Sequence, residues 1–264
     1  MQTDQAPSPA TTASTGYVRV PTLAELPVVA IDTHELRQKR IVGFSSRDIR
    51  ARSFNLLRSQ VLKQLDDSNG RLLGITSAAP AAGKSFISLN LAAALAQQHD
   101  RPIYLFDFDL RRGSIARALD QDGVGIGTYL SGETDDLRLI GRRVGEEGFG
   151  FFPAIADSHV GVDLFTSPRF QGLIAAIRRL PKDAVVLCDL PPAFANDDAA
   201  TITQQLDGFL MVVEQGETTQ KQVTGALDLL RPATCLGTIL NRYDGGWSDP
   251  YGYGYGDKYA TYYG

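Results

Sequence analysis

At 264 residues the chain has room for one large domain with flexible ends, or at most two small ones, and 43% hydrophobic residues suffice to fill a core. A formal net charge of −4 gives no basic footprint, so nucleic acid is not an expected partner. The longest apolar stretch, Phe86–Leu95, is broken by Ser88 and Asn90 and is too short to span a bilayer, and the opening Met1-Gln2-Thr3-Asp4-Gln5 has neither the basic nor the apolar region of a secretory signal.

Residues from Met1 to about Glu25 are rich in Pro, Thr, Ser and Ala without an apolar period, and a disordered tail is expected, drawn here as 1–36. Between Asp48 and Leu65 the spacing of Ile49, Phe54, Leu57, Val61 and Leu62 predicts a helix. Short apolar runs then alternate with amphipathic stretches. The expected strands are Leu72–Ile75, Ile103–Phe106, Phe149–Ile155, Ala184–Cys188, Gly208–Val213 and Leu236–Leu240. The expected helices are Ser85–Gln98, Arg169–Leu180, Asn196–Gln205 and Thr219–Leu230. This alternation implies an α/β fold, a mostly parallel sheet with helices on both faces, over a domain at 37–242. Cys188 and Cys235 lie in or beside apolar runs and read as small buried hydrophobes of a reducing compartment, so the chain is expected in the cytoplasm. Residues 243–264 form a tail dominated by Gly and Tyr.

The first strand runs into Thr76-Ser77-Ala78-Ala79-Pro80-Ala81-Ala82-Gly83-Lys84-Ser85, followed at once by a helix. A helix N-terminus offers unpaired N–H groups and a positive dipole end to an anion. Gly83 lets the backbone approach phosphates, Lys84 reaches the β- and γ-phosphates of ATP, and Ser85 can ligate Mg²⁺, which is the pattern of a P-loop. The first Gly of the general pattern is Ala78 here, which tolerates positive φ poorly, so the loop must take another path at that point. A second strand ends in Asp107-Phe108-Asp109-Leu110-Arg111-Arg112, placing two carboxylates where ligands bind in such sheets. A third closes on Asp189-Leu190-Pro191-Pro192, one carboxylate fixed by a buried strand near the metal. His34, His99 and His159 form no constellation, and neither a zinc-spaced Cys/His cluster nor a nucleophilic Ser elbow is present in the sequence.

Together these residues resemble the bacterial tyrosine kinases of capsule and exopolysaccharide synthesis over roughly Ile41 to Arg242. The segment Ala79–Ser85 is similar to the family's Walker A motif, Asp107–Arg112 to its Walker A′ and Asp189–Pro192 to its Walker B. Softer matches are Gly127–Glu133, Leu164–Pro168 and Gly237–Arg242. The resemblance implies an ATP- and Mg²⁺-dependent autokinase. In it Ala81, Ala82, Gly83, Lys84, Ser85 and Phe86 hold phosphate, and Asn241 and Arg242 line the adenine pocket. Ser85, Asp107 and Asp189 hold the metal, while Asp107 and Asp109, with Lys84, serve the chemistry. It implies as phospho-acceptors the cluster Tyr251, Tyr253, Tyr255, Tyr259, Tyr262 and Tyr263. It further implies a chain-length-determinant membrane protein (polysaccharide co-polymerase) as separate activator, a location at the inner membrane through that partner, and a homo-oligomer. Three departures stand out. Ala81 and Ala82 replace a Gly and a polar residue, and of the family's E-x-x-R-x-x-R helix pattern only Arg58 is kept in Arg52–Arg58. No membrane span is attached. Two other accounts share the fold: an ATPase switch like the partitioning and division-site proteins, whose signature Lys falls at Ala79, and a non-catalytic ATP-binding subunit of the polysaccharide machinery.

Overall fold

The structure is a computed structural model, and it describes residues 18–45, 48–155 and 163–243. In chain order the elements are β1 (Val28–Val29), α1 (Thr33–Gln38), α2 (Arg52–Ser68), β2 (Leu72–Ser77), α3 (Lys84–Ala96), β3 (Ile103–Asp107), α4 (Ser114–Ala118), α5 (Ile126–Ser131), β4 (Arg142–Val144), β5 (Phe149–Phe152), α6 (Pro168–Ile177), β6 (Val185–Asp189), α7 (Asp198–Thr203), β7 (Gly208–Glu214), α8 (Gln220–Leu229) and β8 (Cys235–Asn241). The strands form one eight-stranded sheet in the order β1-β4-β5-β3-β6-β2-β7-β8. Every pairing is parallel except β4 with β5.

The central strands read as continuous apolar runs because helices cover both of their faces: β2, β3 and β6 are buried at every position. Packing is close at Gly74 in β2, where a Cβ would stand 2.9 Å from both Leu190 Cδ1 and Leu206 Cδ1. Helix α3 is buried almost all round rather than along one stripe, and its Ala92, Ala93 and Ala94 let α2 and the sheet approach closely. Its buried Asn90 ties in the preceding segment, accepting from Val42 N–H at 2.8 Å and Gly43 N–H at 3.0 Å while donating to Phe86 O at 3.0 Å. On the other face an aromatic cluster fills the core. Phe106 stacks on Phe152 with ring centroids 4.3 Å apart, and Phe108, Phe165 and Phe170 meet edge to face at 5.2–5.8 Å.

Several boundaries differ from the sequence expectation. The tail drawn through residue 36 is part of the fold from residue 18: Val20, Leu26 and Leu36 are buried, and β1 pairs with β4. A few apolar anchors among Pro, Thr and Glu carry no period. A turn at Leu23–Glu25 is instead closed by Glu25, which accepts from Thr22 N–H at 2.8 Å and from Nη1 and Nη2 of Arg19. The helix expected from Asp48 begins at Arg52 after a 3-10 turn and runs to Ser68, where Asn69 takes the left-handed conformation at φ 52°. The strand expected over Phe149–Ile155 stops at Phe152, and the helix expected over Asn196–Gln205 narrows to Asp198–Thr203. Residues 1–17 and 244–264, with the six expected acceptor tyrosines, lie outside the described residues.

Candidate nucleotide and phosphotransfer site

Three parallel strands, β2, β6 and β3, lie side by side and deliver the three sequence motifs to one edge of the sheet. Register does the rest: Asp107 of β3 and Asp189 of β6 are direct partners, and Ile75 of β2 is the partner of Asp189 on the other side. The loop between β2 and α3 therefore hangs over two carboxylates.

The loop is shaped by two left-handed residues, Ala81 at φ 70° and Gly83 at φ 93°, and Ala78, buried, is not among the residues with positive φ. The path is thus altered at Ala78 as expected, and the strain moves to Ala81. Ile87 N–H is the first to find a helical acceptor, Gly83 O at 3.0 Å, so the N–H groups of Lys84, Ser85 and Phe86 have no intrahelical acceptor and form an anion-binding end. Asn241, at the end of β8, donates through Nδ2 to Ala82 O at 2.8 Å, and a Cβ on Gly83 would lie 2.1 Å from that nitrogen. Asn241 thus buttresses the loop from beneath. Arg242, at φ 57°, turns its guanidinium onto Glu214. Phe86 packs its ring against Phe54, so what it offers a phosphate is its backbone N–H.

Lys84, although buried, is held among carboxylates: its Nζ stands 2.6 Å from Asp109 Oδ2 and 3.5 Å from Asp189 Oδ2. Ser85 Oγ donates to Asp189 Oδ2 at 2.6 Å, and Ser88 Oγ stands 2.9 Å from Asp189 Oδ1. Asp109 N–H donates to Asp107 Oδ1 at 3.0 Å, which leaves Asp107 Oδ2 buried and without a partner among the described residues.

The electrostatics follow from this crowding. Burial, then the Asp189 charge, pushes the Asp107 carboxyl well above the usual carboxylate range. Burial also raises Asp189, against the pull of Lys84, Ser85 and Ser88. Burial alone would lower Lys84, but the charges of Asp189 and Asp109 outweigh it and hold the ammonium above its ordinary value. Three buried carboxylates facing one ammonium leave the site short of positive charge, and an orphaned carboxylate oxygen marks where a cation fits. Among the described residues no three acidic, His or Cys side chains form a metal cage by themselves. That suits Mg²⁺, which takes one or two protein oxygens and completes its shell with phosphate and water.

Sequence reasoning missed Ser88. It lies one turn beyond Lys84, so its hydroxyl faces the same carboxylate, and the i, i+4 spacing is the signal that could have found it. Arg58, kept from the family's helix pattern, donates to Ala94 O at 2.9 Å, near the C-terminal end of α3.

No family model matches the chain. The putative tyrosine-protein kinase EpsB of Ralstonia nicotianae is 28% identical over 235 residues, covering 88% of this chain and 30% of the relative. The tyrosine-protein kinase wzc of Salmonella typhimurium is 30% identical over 233 residues, 86% of this chain and 31% of the relative. The chain therefore spans about a third of the length of these curated relatives. Among solved structures, the kinase domain of the Escherichia coli tyrosine kinase ETK superposes with a TM-score of 0.69 at 25% identity, covering 81% of this chain and 88% of that one. In sequence and in fold, the chain is similar to the kinase domains of bacterial tyrosine-protein kinases.

Proposed function

We propose that the chain is an ATP-dependent protein-tyrosine autokinase that phosphorylates its own tyrosine cluster at Tyr251–Tyr263 and so regulates capsule or exopolysaccharide synthesis. The observation that carries the proposal is the meeting of Lys84, Ser85, Asp107, Asp109 and Asp189 beneath an anion-binding loop, in a chain related to tyrosine kinases. Each has a task that follows from its place. The free N–H groups of Lys84, Ser85 and Phe86 hold ATP phosphates, and Lys84 exchanges its carboxylate partners for the β- and γ-phosphates. Mg²⁺, when held by Ser85 and Asp107 with Asp189 behind Ser85, offsets the charge that builds on the transferred group. Asp109, released from Lys84, accepts the phenolic proton as the tyrosine oxygen bonds to the γ-phosphorus and the bond to ADP breaks.

The described residues contain no helix long and apolar enough to cross a membrane. A chain-length-determinant protein is the proposed activator, and association with the inner membrane through it is part of the same proposal. The switch-ATPase alternative lacks its signature Lys, since Ala79 stands there. Arg58, bonded inward to Ala94, leaves a homo-oligomer to rest on other contacts. The test is complementation in trans. A chain lacking Trp247–Gly264 is mixed with full-length Lys84→Met and Mg·ATP, and phosphotyrosine is mapped. Phosphate on the tail of the Lys84→Met partner is the expected result; its absence alongside steady ATP hydrolysis would favour the switch.

A further inference from the structure

Beside Asp109 a groove of about 410 Å³ opens, reaching Pro80 of the nucleotide loop at one side. Its apolar lining is Phe108, Leu110, Leu164, Phe165, Pro191 and Pro192, and Asp109 opens into it. Flat proline and leucine walls leading to a carboxylate suit a phenol ring whose hydroxyl meets that carboxylate. The turn that follows Asp109 is fixed by Arg112 N–H and Gly113 N–H, which donate to Asp109 O at 3.1 and 3.3 Å. It sets Arg111 and Arg112 on the groove's lining, both exposed and neither in contact with a carboxylate among the described residues. Asp163, Asp197 and Asp198 also line it; Asp198 accepts from Asn196, and Asp109 is matched by Lys84. Among the described residues Arg111, whose charge also acts on Asp198, and Arg112 are the only cationic side chains that line the groove, so a second anion would be met there.

The segment outside the described residues has a pattern that fits this. In an extended peptide, residues two apart project to the same side, about 6.5–7 Å from one another. Tyr251 has Asp249 two residues before it, and Asp257 lies two residues after Tyr255 and two before Tyr259, whereas Tyr253 has only tyrosines at those positions. Reach is not limiting. β8 lies three strands from β6, about 14 Å at ordinary strand spacing. Tyr251 is eight residues beyond Tyr243, enough for about 27 Å of extended chain.

We propose that this groove seats an acceptor tyrosine of the 251–263 segment together with an anionic neighbour two residues away, and that Arg111 and Arg112 read that anion. Arginine forks take carboxylate and, more strongly, phosphate. Tyr251, Tyr255 and Tyr259, primed by Asp249 and Asp257, are then modified first. Phosphorylated Tyr251 or Tyr255 primes Tyr253. The inference rests on the kinase reading of the site, and it adds substrate selection and an order of events.

The experiment uses the full chain with peptides spanning Asp249–Tyr259. Time-resolved mass spectrometry with Mg·ATP should show Tyr251, Tyr255 and Tyr259 phosphorylated before Tyr253. A peptide carrying Asp249→Asn and Asp257→Asn should react at least tenfold more slowly, and installing phosphotyrosine at 255 should restore the rate at Tyr253. In the Arg111→Gln/Arg112→Gln variant the acidic, neutral and phosphorylated peptides should react alike, with its melting temperature and its affinity for a fluorescent ATP analogue as in the parent. Fluorescence anisotropy with unreactive Tyr→Phe peptides reads the same preference without chemistry. Equal handling of acidic and neutral peptides by the parent, or a preference for lysine-flanked peptides, overturns the proposal while leaving the kinase reading intact. No transfer to any peptide, with binding still selective for the anionic ones, sinks the kinase reading and keeps the groove.

Discussion

Replacing Asp107 by Asn should make the protein more stable and yet unable to use metal. Asp107 is fully buried, its Oδ1 accepts from Asp109 N–H at 3.0 Å, and its Oδ2 has no partner among the described residues. Burial raises its folded value above the ordinary 3.8. The sign follows: such a carboxyl supports the fold in full only below 3.8 and loses that support as the pH rises through its folded value. Asn keeps the shape and the Oδ1 acceptor and never ionises. Relief of an unpaired buried charge is worth about 1–3 kcal/mol, less about 1 for an amide N–H left without an acceptor, so a gain of about 1 kcal/mol at pH 7 is expected. In a domain of this size that is about 2–4 °C in Tm. Thermal unfolding without nucleotide or metal, from pH 8 to pH 4, reads it. The gain should shrink as the pH falls toward 3.8, and added Mg·ATP should stabilise the parent but hardly the variant. A variant that melts lower than the parent at pH 7, or a gain unchanged at pH 4, refutes the charge argument.

Other substitutions probe single features. Ala81→Gly should relieve the strain of φ 70° and, after the entropy lost to a more flexible unfolded chain, raise stability by about 0.5–1 kcal/mol in chemical denaturation; a loss of stability would show that Ala81 is not strained. Ser88→Ala orphans Asp189 Oδ1 and should cost about 1–3 kcal/mol or weaken Mg²⁺-dependent nucleotide binding comparably, and Ser88→Thr should recover most of it. Gly83→Ala should abolish binding of a fluorescent ATP analogue, because the new Cβ would displace Asn241 from the loop; normal binding would show that the loop yields there.

The parts of the site that could be read in the sequence are those the chain lays down contiguously. β2, β3 and β6 are buried on both faces, so each shows as an unbroken apolar run with its functional residue just beyond or at its end. What could not be read is what depends on register and on distant partners. That Asp107 and Asp189 face one another across two strands, and that Lys84 closes on Asp109, are consequences of the sheet order. β4, Arg142-Arg143-Val144, carries two charged residues at the sheet's margin and gives no apolar signal. β1 is two residues long and is stabilised by pairing with β4. Asn241 could be assigned to the nucleotide site only by resemblance; the structure adds that it holds up the loop through Ala82 O.

The central claim is that Lys84 and the carboxylates around it transfer phosphate to tyrosine. The most direct measurement is phosphotyrosine formed per chain by purified protein in Mg·ATP, compared with Lys84→Met, which removes the ammonium 2.6 Å from Asp109. Phosphate accumulating on the parent's tail, and none on a Lys84→Met chain that remains folded, is the expected result. Equal phosphorylation of both at saturating ATP would contradict it, and phosphate confined to Tyr17, Tyr104 or Tyr129 would rule out the tail as the acceptor.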